Sequence, residues 1–166
     1  FLKKILSGVF YYDRKRGEDQ ALEDLDNPIG ANGGDSGMVL EFLQEQYKAG
    51  MMNYDILILN CGLHDIKTNP EIGKRQVSEE EYVKNIKEAL DIIGKAGIRL
   101  YWVRTTPVDE YLHNEKYRKK FLRYNNDVIR YNALADEIMK KNSIPVIDLY
   151  SFTRNLGDGE NLYCDQ

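Results

Sequence analysis

Three short apolar runs alternate with longer stretches in which apolar positions recur every three or four residues. The runs are Asp55-Ile56-Leu57-Ile58-Leu59-Asn60, Ile98 to Val103, and Ile144 to Leu149. Each is continuous rather than alternating, the pattern of a strand buried on both faces. Between and around them the period changes to that of a helix. Val39, Leu40, Leu43 and Tyr47 follow Ser36 at helical spacing, and Gly50 stops the element. Ser78-Glu79-Glu80-Glu81 is a capping box. Behind it Tyr82, Val83, Ile86, Ala89, Leu90 and Ile93 form a stripe that ends at Gly94 and Gly97. Steps of four and three through Tyr117, Phe121, Tyr124, Val128, Tyr131, Ala135 and Ile138 predict one long helix over 115–142. Val9-Phe10-Tyr11-Tyr12, after Ser7-Gly8, reads as a further short strand. Residues 13–35 are charged, then rich in Gly, Asn and Asp, and read as a long functional or mobile loop.

Strands that alternate with helices predict a parallel sheet covered on both faces: an α/β fold, specifically a three-layer α/β/α sandwich with a flavodoxin-like sheet. The 166 residues suit a single domain over 1–166. A formal net charge of −4 argues against a nucleic-acid partner, which would call for a basic stripe. No apolar run approaches the roughly 20 residues of a membrane span. Two cysteines, Cys61 and Cys164, cannot form a disulfide scaffold; they leave the compartment open, with a lean to a reducing, cytoplasmic one. Phe1-Leu2-Lys3-Lys4-Ile5-Leu6 reads like a helix already under way, and Cys164-Asp165-Gln166 carries no terminating feature. The expectation is a chain truncated at both ends.

In such folds ligands sit at the carboxyl ends of the strands, which directs attention to the segments after Asn60, Val103 and Leu149. Asn60-Cys61-Gly62-Leu63-His64-Asp65 puts Gly, His and Asp at one such end. It reads equally as a glycine turn followed by a capping Asp. Gly33-Gly34-Asp35-Ser36 reads as a loop-to-helix junction with Asp35 or Ser36 as N-cap. A glycine amide at that place is also a good oxyanion donor. His113, in a loop after Thr105-Thr106-Pro107-Val108, is a surface histidine or a substrate contact. Cys61 reads as a small packing residue, and the twelve tyrosines mostly fall on core-facing helix stripes. Two separated histidines without metal-ligand spacing predict no metal site.

Gly34-Asp35-Ser36, Gly62-Leu63-His64-Asp65 and Asp165 together resemble the SGNH hydrolases, the GDSL esterase/lipase superfamily, in a Gly-Leu-His-Asp variant. The resemblance runs over essentially the whole chain, since the order of strands and helices also fits. It implies an ester hydrolase without cofactor that works through a Ser acyl-enzyme. Its substrate would be a small-molecule or carbohydrate ester, by analogy an O-acetyl group, which would make the protein a deacetylase. In similar proteins a nucleophilic Ser follows the first buried strand, a second-block Gly and an Asn complete the oxyanion hole, and a late Asp-x-x-His supplies the base. Ser36 imitates the nucleophile, but Asp24 to Gly33 is too polar for a buried strand. About thirty residues separate the family's second-block Gly from its Asn, and the same interval separates Gly34 from His64. The resemblance therefore implies that the Gly34 amide and His64 serve the oxyanion and that Asp165 orients a His beyond this chain. The nucleophile is then expected upstream of Phe1, with Ser36 the alternative. Asn32, Gly62, Asp65 and His113 are the remaining substrate-binding candidates. If Val9–Tyr12 is the second strand of a 2-1-3-4-5 sheet, the central first strand is missing, and the chain alone is expected to be inactive and poorly folded. Two other readings stay open: a non-catalytic α/β module that binds a carbohydrate or protein, and a domain that binds a phosphorylated ligand at Gly33-Gly34.

Overall fold

A computed structural model describes residues 2–156, and the chain divides into two units, Phe1–Gly34 and Asp35–Gln166. The first unit contains α1 (Leu2–Leu6) and α2 (Glu18–Glu23). Its Val9–Tyr12 run is not the expected strand. The N–H groups of Val9 and Phe10 both donate to the Leu6 carbonyl, at 3.1 and 2.9 Å, and close the end of α1. Tyr11 is 92% exposed. A β-prone sequence needs a pleated, half-buried surface to fit, and no described strand pairs with this one. Residues 13–35 form a loop as expected, interrupted only by α2. Gly17 and Gly30 cross closely: a Cβ on Gly17 would lie 2.7 Å from the Gly30 Cα. The Lys15 ammonium donates to the carbonyls of Gly30 and Asn32 and ties the loop to itself.

The second unit runs α3 (Ser36–Lys48), β1 (Ile56–Leu59), α4 (Glu79–Lys95), β2 (Arg99–Val103), α5 (Glu110–Tyr117), α6 (Asn125–Lys141), β3 (Val146–Ile147) and α7 (Leu149–Asn155). The described strands are parallel and pair in the order β1-β2-β3. This is the predicted α/β fold, with each strand joined to the next through helix. Register sets Leu57 beside Leu100 and Leu59 beside Trp102. That face joins the core with Ile86, Ile93, Val128 and Ala135. Helix α4 packs between α3 and α6 and against β2, and Tyr82 and Tyr131 meet ring to ring with centroids 4.8 Å apart. The opposite face differs from the expectation of double burial. Ile58 is 48% exposed, and Ile147, the register partner of Val103, is also exposed. A continuous apolar run therefore marks these strands without implying two covered faces among the described residues.

The capping box forms as read: the Ser78 hydroxyl accepts from Glu81 N–H at 3.2 Å, and the Glu81 carboxylate accepts from Ser78 N–H at 3.1 Å. Such caps contribute about 1 kcal/mol. The single helix expected over 115–142 is instead α5 and α6 with a break. Asp109 caps α5 by accepting from Leu112 N–H at 3.0 Å. The chain then extends so that Leu122 and Thr68 exchange two backbone hydrogen bonds of 2.8 Å. Asn114 grips the Arg123 backbone through both N–H and C=O. These contacts across the chain outweigh an unbroken helical period. The expected strand over 144–149 shortens to Val146–Ile147 because Asp148 caps α7, accepting from Ser151 N–H at 3.0 Å. Arg104 ties the end of β2 to both Asp136 of α6 and Asp148. No described helix is long and apolar enough to cross a membrane.

Candidate active site

The carboxyl end of β1 is built by hydrogen bonds from four directions. The Asn60 amide donates to the Val103 carbonyl at 2.7 Å and to Thr105 Oγ1 at 3.2 Å. Thr105 and Tyr82 hydroxyls both donate to the Cys61 carbonyl, at 3.2 and 3.3 Å. Asn132 on α6 holds Thr105 in turn, accepting from its N–H and donating to its carbonyl, each at 2.9 Å. Arg123 Nε donates to the Leu63 carbonyl at 2.9 Å. Between these anchors Gly62 adopts φ 139°, and a Cβ there would sit 2.8 Å from Thr105 Oγ1. Only glycine fits both the conformation and the space. The result is a fixed turn that ends in His64 and Asp65, both buried.

Asp65 is 0% exposed. Its two carboxylate oxygens accept from Ser36 N–H at 2.9 and 3.1 Å, and the Ser36 hydroxyl also bonds to it. The Asn85 amide donates to Ser36 Oγ at 3.0 Å. Ser36 is the first residue of α3 and 2% exposed. Its hydroxyl is thus engaged by a carboxylate and an amide, in a buried setting. Asp35 is the N-cap, accepting from Met38 N–H at 3.0 Å and from the Gln76 amide at 2.6 Å. The junction read as a cap is therefore a cap.

Burial pushes the Asp65 carboxyl up to about 6, with the Asp35 charge adding to the rise and the Ser36 hydrogen bonds opposing it. An acid whose folded value lies above its ordinary value of 3.8 binds its proton more tightly when folded. Its stabilisation is fully present below pH ~4 and is lost as pH rises through ~6, a loss of about 3 kcal/mol. The unfolding free energy of the wild type minus that of Asp65→Asn is expected to fall over this window in urea titrations. A flat difference would refute the assignment. Burial, then the charges of Asp65 and Asp35, raise the Cys61 thiol well above its ordinary value. That leaves it protonated at neutral pH, a packing residue as the sequence suggested.

The other candidates belong to other elements. Asn32 and Gly34 belong to the first unit. There the Asn32 amide donates to the carbonyls of Leu25 and Asn27, and its oxygen accepts from Gly34 N–H at 3.0 Å. His113 sits on α5, not in a loop, with its ring 4.9 Å from Tyr117 and 5.4 Å from Phe121. Asp165 lies outside the described residues. Among the described residues no group of three His, Cys, Asp or Glu side chains could hold a metal ion. Sequence reading missed Asn85, Thr105, Asn132 and Arg123. The available signal was a polar residue interrupting an apolar helix side, as Asn85 does beside Tyr82 and Ile86, and Asn132 beside Tyr131 and Ala135.

Neither a protein-family model nor a curated protein sequence matches the chain. Solved structures do. A Bacteroides fragilis protein assigned by name as an acylhydrolase superposes with a TM-score of 0.57 at 18% identity, over 74% of this chain and 54% of its own. A GDSL-like lipase from Bacteroides thetaiotaomicron superposes with a TM-score of 0.56 at 17% identity, over 81% of this chain and 59% of its own. The chain has the α/β fold of these proteins and spans somewhat more than half of their length.

Proposed function

We propose that this chain is part of an ester hydrolase of the SGNH type that works by acyl transfer through a Ser acyl-enzyme. The observation that carries the reading is the rigid β1 turn, which presents buried His64 at the carboxyl end of a parallel sheet in a GDSL-like fold. A neutral imidazole held there donates one hydrogen bond to an oxyanion, and fixed donors are worth most where water is excluded. The resemblance assigns the same task to the Gly34 amide. Within the first unit that N–H donates to the Asn32 oxygen at 3.0 Å. The Asp65 carboxylate accepts from Ser36 N–H with both oxygens, and its place in this reading is to hold the turn.

Ser36 is the less favoured nucleophile. Its hydroxyl meets Asn85 and Asp65, neither of which is the imidazole base that this chemistry uses. The reading therefore takes a Ser outside residues 1–166 as nucleophile, with Asp165 orienting a base His that also lies outside them. The substrate would be an acyl ester such as an O-acetyl group on a carbohydrate.

The test uses the complete reading frame. p-Nitrophenyl acetate turnover and covalent capture by a fluorophosphonate are expected, with mass spectrometry placing the label on a Ser outside this sequence. Label on Ser36 would overturn the residue assignment. Neither turnover nor label would overturn the hydrolase reading in favour of a binding module.

A further inference from the structure

We infer that Asp65 is a positioning residue: with Asn85 it clasps Ser36 and so fixes the first turn of α3 against the turn that presents His64. Its consequence for activity rests on the ester-hydrolase reading, but its geometry does not.

Three observations carry it. Asp65 follows His64 directly, so whatever anchors Asp65 also limits the movement of His64. The anchoring acts at both ends of the residue. The carboxylate takes Ser36 N–H with both oxygens, and the backbone carbonyl accepts from Val77 N–H at 3.1 Å. Finally, the clasp is two-sided, since Asn85 reaches from α4 to the Ser36 hydroxyl. Three stretches of chain (the β1 turn, the start of α3 and the middle of α4) thus meet on one serine.

An ionised carboxylate is an expensive way to hold a helix end in a dry place. The Asp35 charge at the α3 cap opposes the ionisation of Asp65, and the Asp65 charge in turn acts on Cys61 in the turn, Tyr82 on α4 and Tyr131 on α6. The two-oxygen grip on one N–H belongs to the ionised form, because protonation turns one oxygen into a donor. The clasp therefore tightens as Asp65 ionises.

The experiment compares wild type, Asp65→Asn and Asn85→Ala in the complete protein. On p-nitrophenyl acetate, Asp65→Asn is expected to lower kcat at least tenfold with KM within threefold of wild type. Asn85→Ala should lower kcat several-fold, again with little change in KM. Wild-type kcat in Asp65→Asn would overturn the inference. If Asp65→Asn does not fold, wild-type kcat in Asn85→Ala overturns it instead. The Ser36 amide proton gives a readout without activity. In wild type its NMR shift should titrate near pH 6. An amide that does not titrate overturns the clasp. A wild type without esterase activity but with a titrating Ser36 amide overturns the hydrolase reading and leaves the clasp supported.

Discussion

Trp102→Ala is expected to destabilise the protein by about 4 kcal/mol, within the range for aromatic truncation in a core. Trp102 is 1% exposed and stands on the middle strand of the described sheet. Its register neighbours are Leu59 on one side and Val146 on the other. Its indole Nε1 has no hydrogen-bond partner among the described residues, so the side chain acts by packing alone. Truncation removes the transfer gain of the indole and leaves a cavity under α4, which packs against β2. Trp102→Phe keeps an aromatic ring and should cost clearly less. The check is the urea midpoint at constant m-value, followed by circular dichroism because Trp102 is the single tryptophan. A loss below about 1 kcal/mol would show that this face of the sheet is not the core.

If the protein is the ester hydrolase proposed above and His64 its oxyanion donor, His64→Ala is expected to lower kcat by about 10²–10³-fold in the complete protein, the usual effect of removing one such donor. KM should change little, because the donor acts on charge that develops only in the transition state. His64→Asn should restore part of the rate, since an amide can donate from a similar position. The Gly62–Asp65 turn should survive both changes. Its anchors are backbone groups of Cys61 and Leu63 held by Tyr82, Thr105 and Arg123, together with the Asp65 carboxylate on Ser36. An equal rate in His64→Ala would refute the oxyanion role, and a rise in KM alone would make His64 a substrate contact.

Much of the fold was legible in the sequence because the deciding interactions are local or periodic. The stripe of α3 and the Ser78–Glu81 box of α4 involve residues a few positions apart, so their spacing carries the structure. The three parallel strands were legible from apolar runs of the right length. The second face of those strands was not. Whether Ile58 or Ile147 is covered depends on neighbouring segments, and an apolar residue reads the same either way. The break between α5 and α6 failed for a related reason. Tyr117 and Phe121 keep helical spacing, yet Asn114 and Thr68 hold residues 122 and 123 extended. Val9–Tyr12 shows the converse: among the described residues no strand pairs with it, and β-propensity alone leaves it irregular.

The candidate site divides along the same line. By itself the sequence directed attention to the segment after β1, and it determined that Gly62 begins a turn, that Asp35 and Ser36 open a helix, and that Cys61 is a packing residue. Each of these follows from residue type and immediate neighbours. Only the tertiary structure decided that Asp65 reaches 29 residues back to Ser36, that Asn85 closes the same contact from α4, and that Asn132 holds Thr105 behind the turn. A buried polar group takes its partner from whatever the fold brings within 3 Å, and no spacing along the chain encodes that distance.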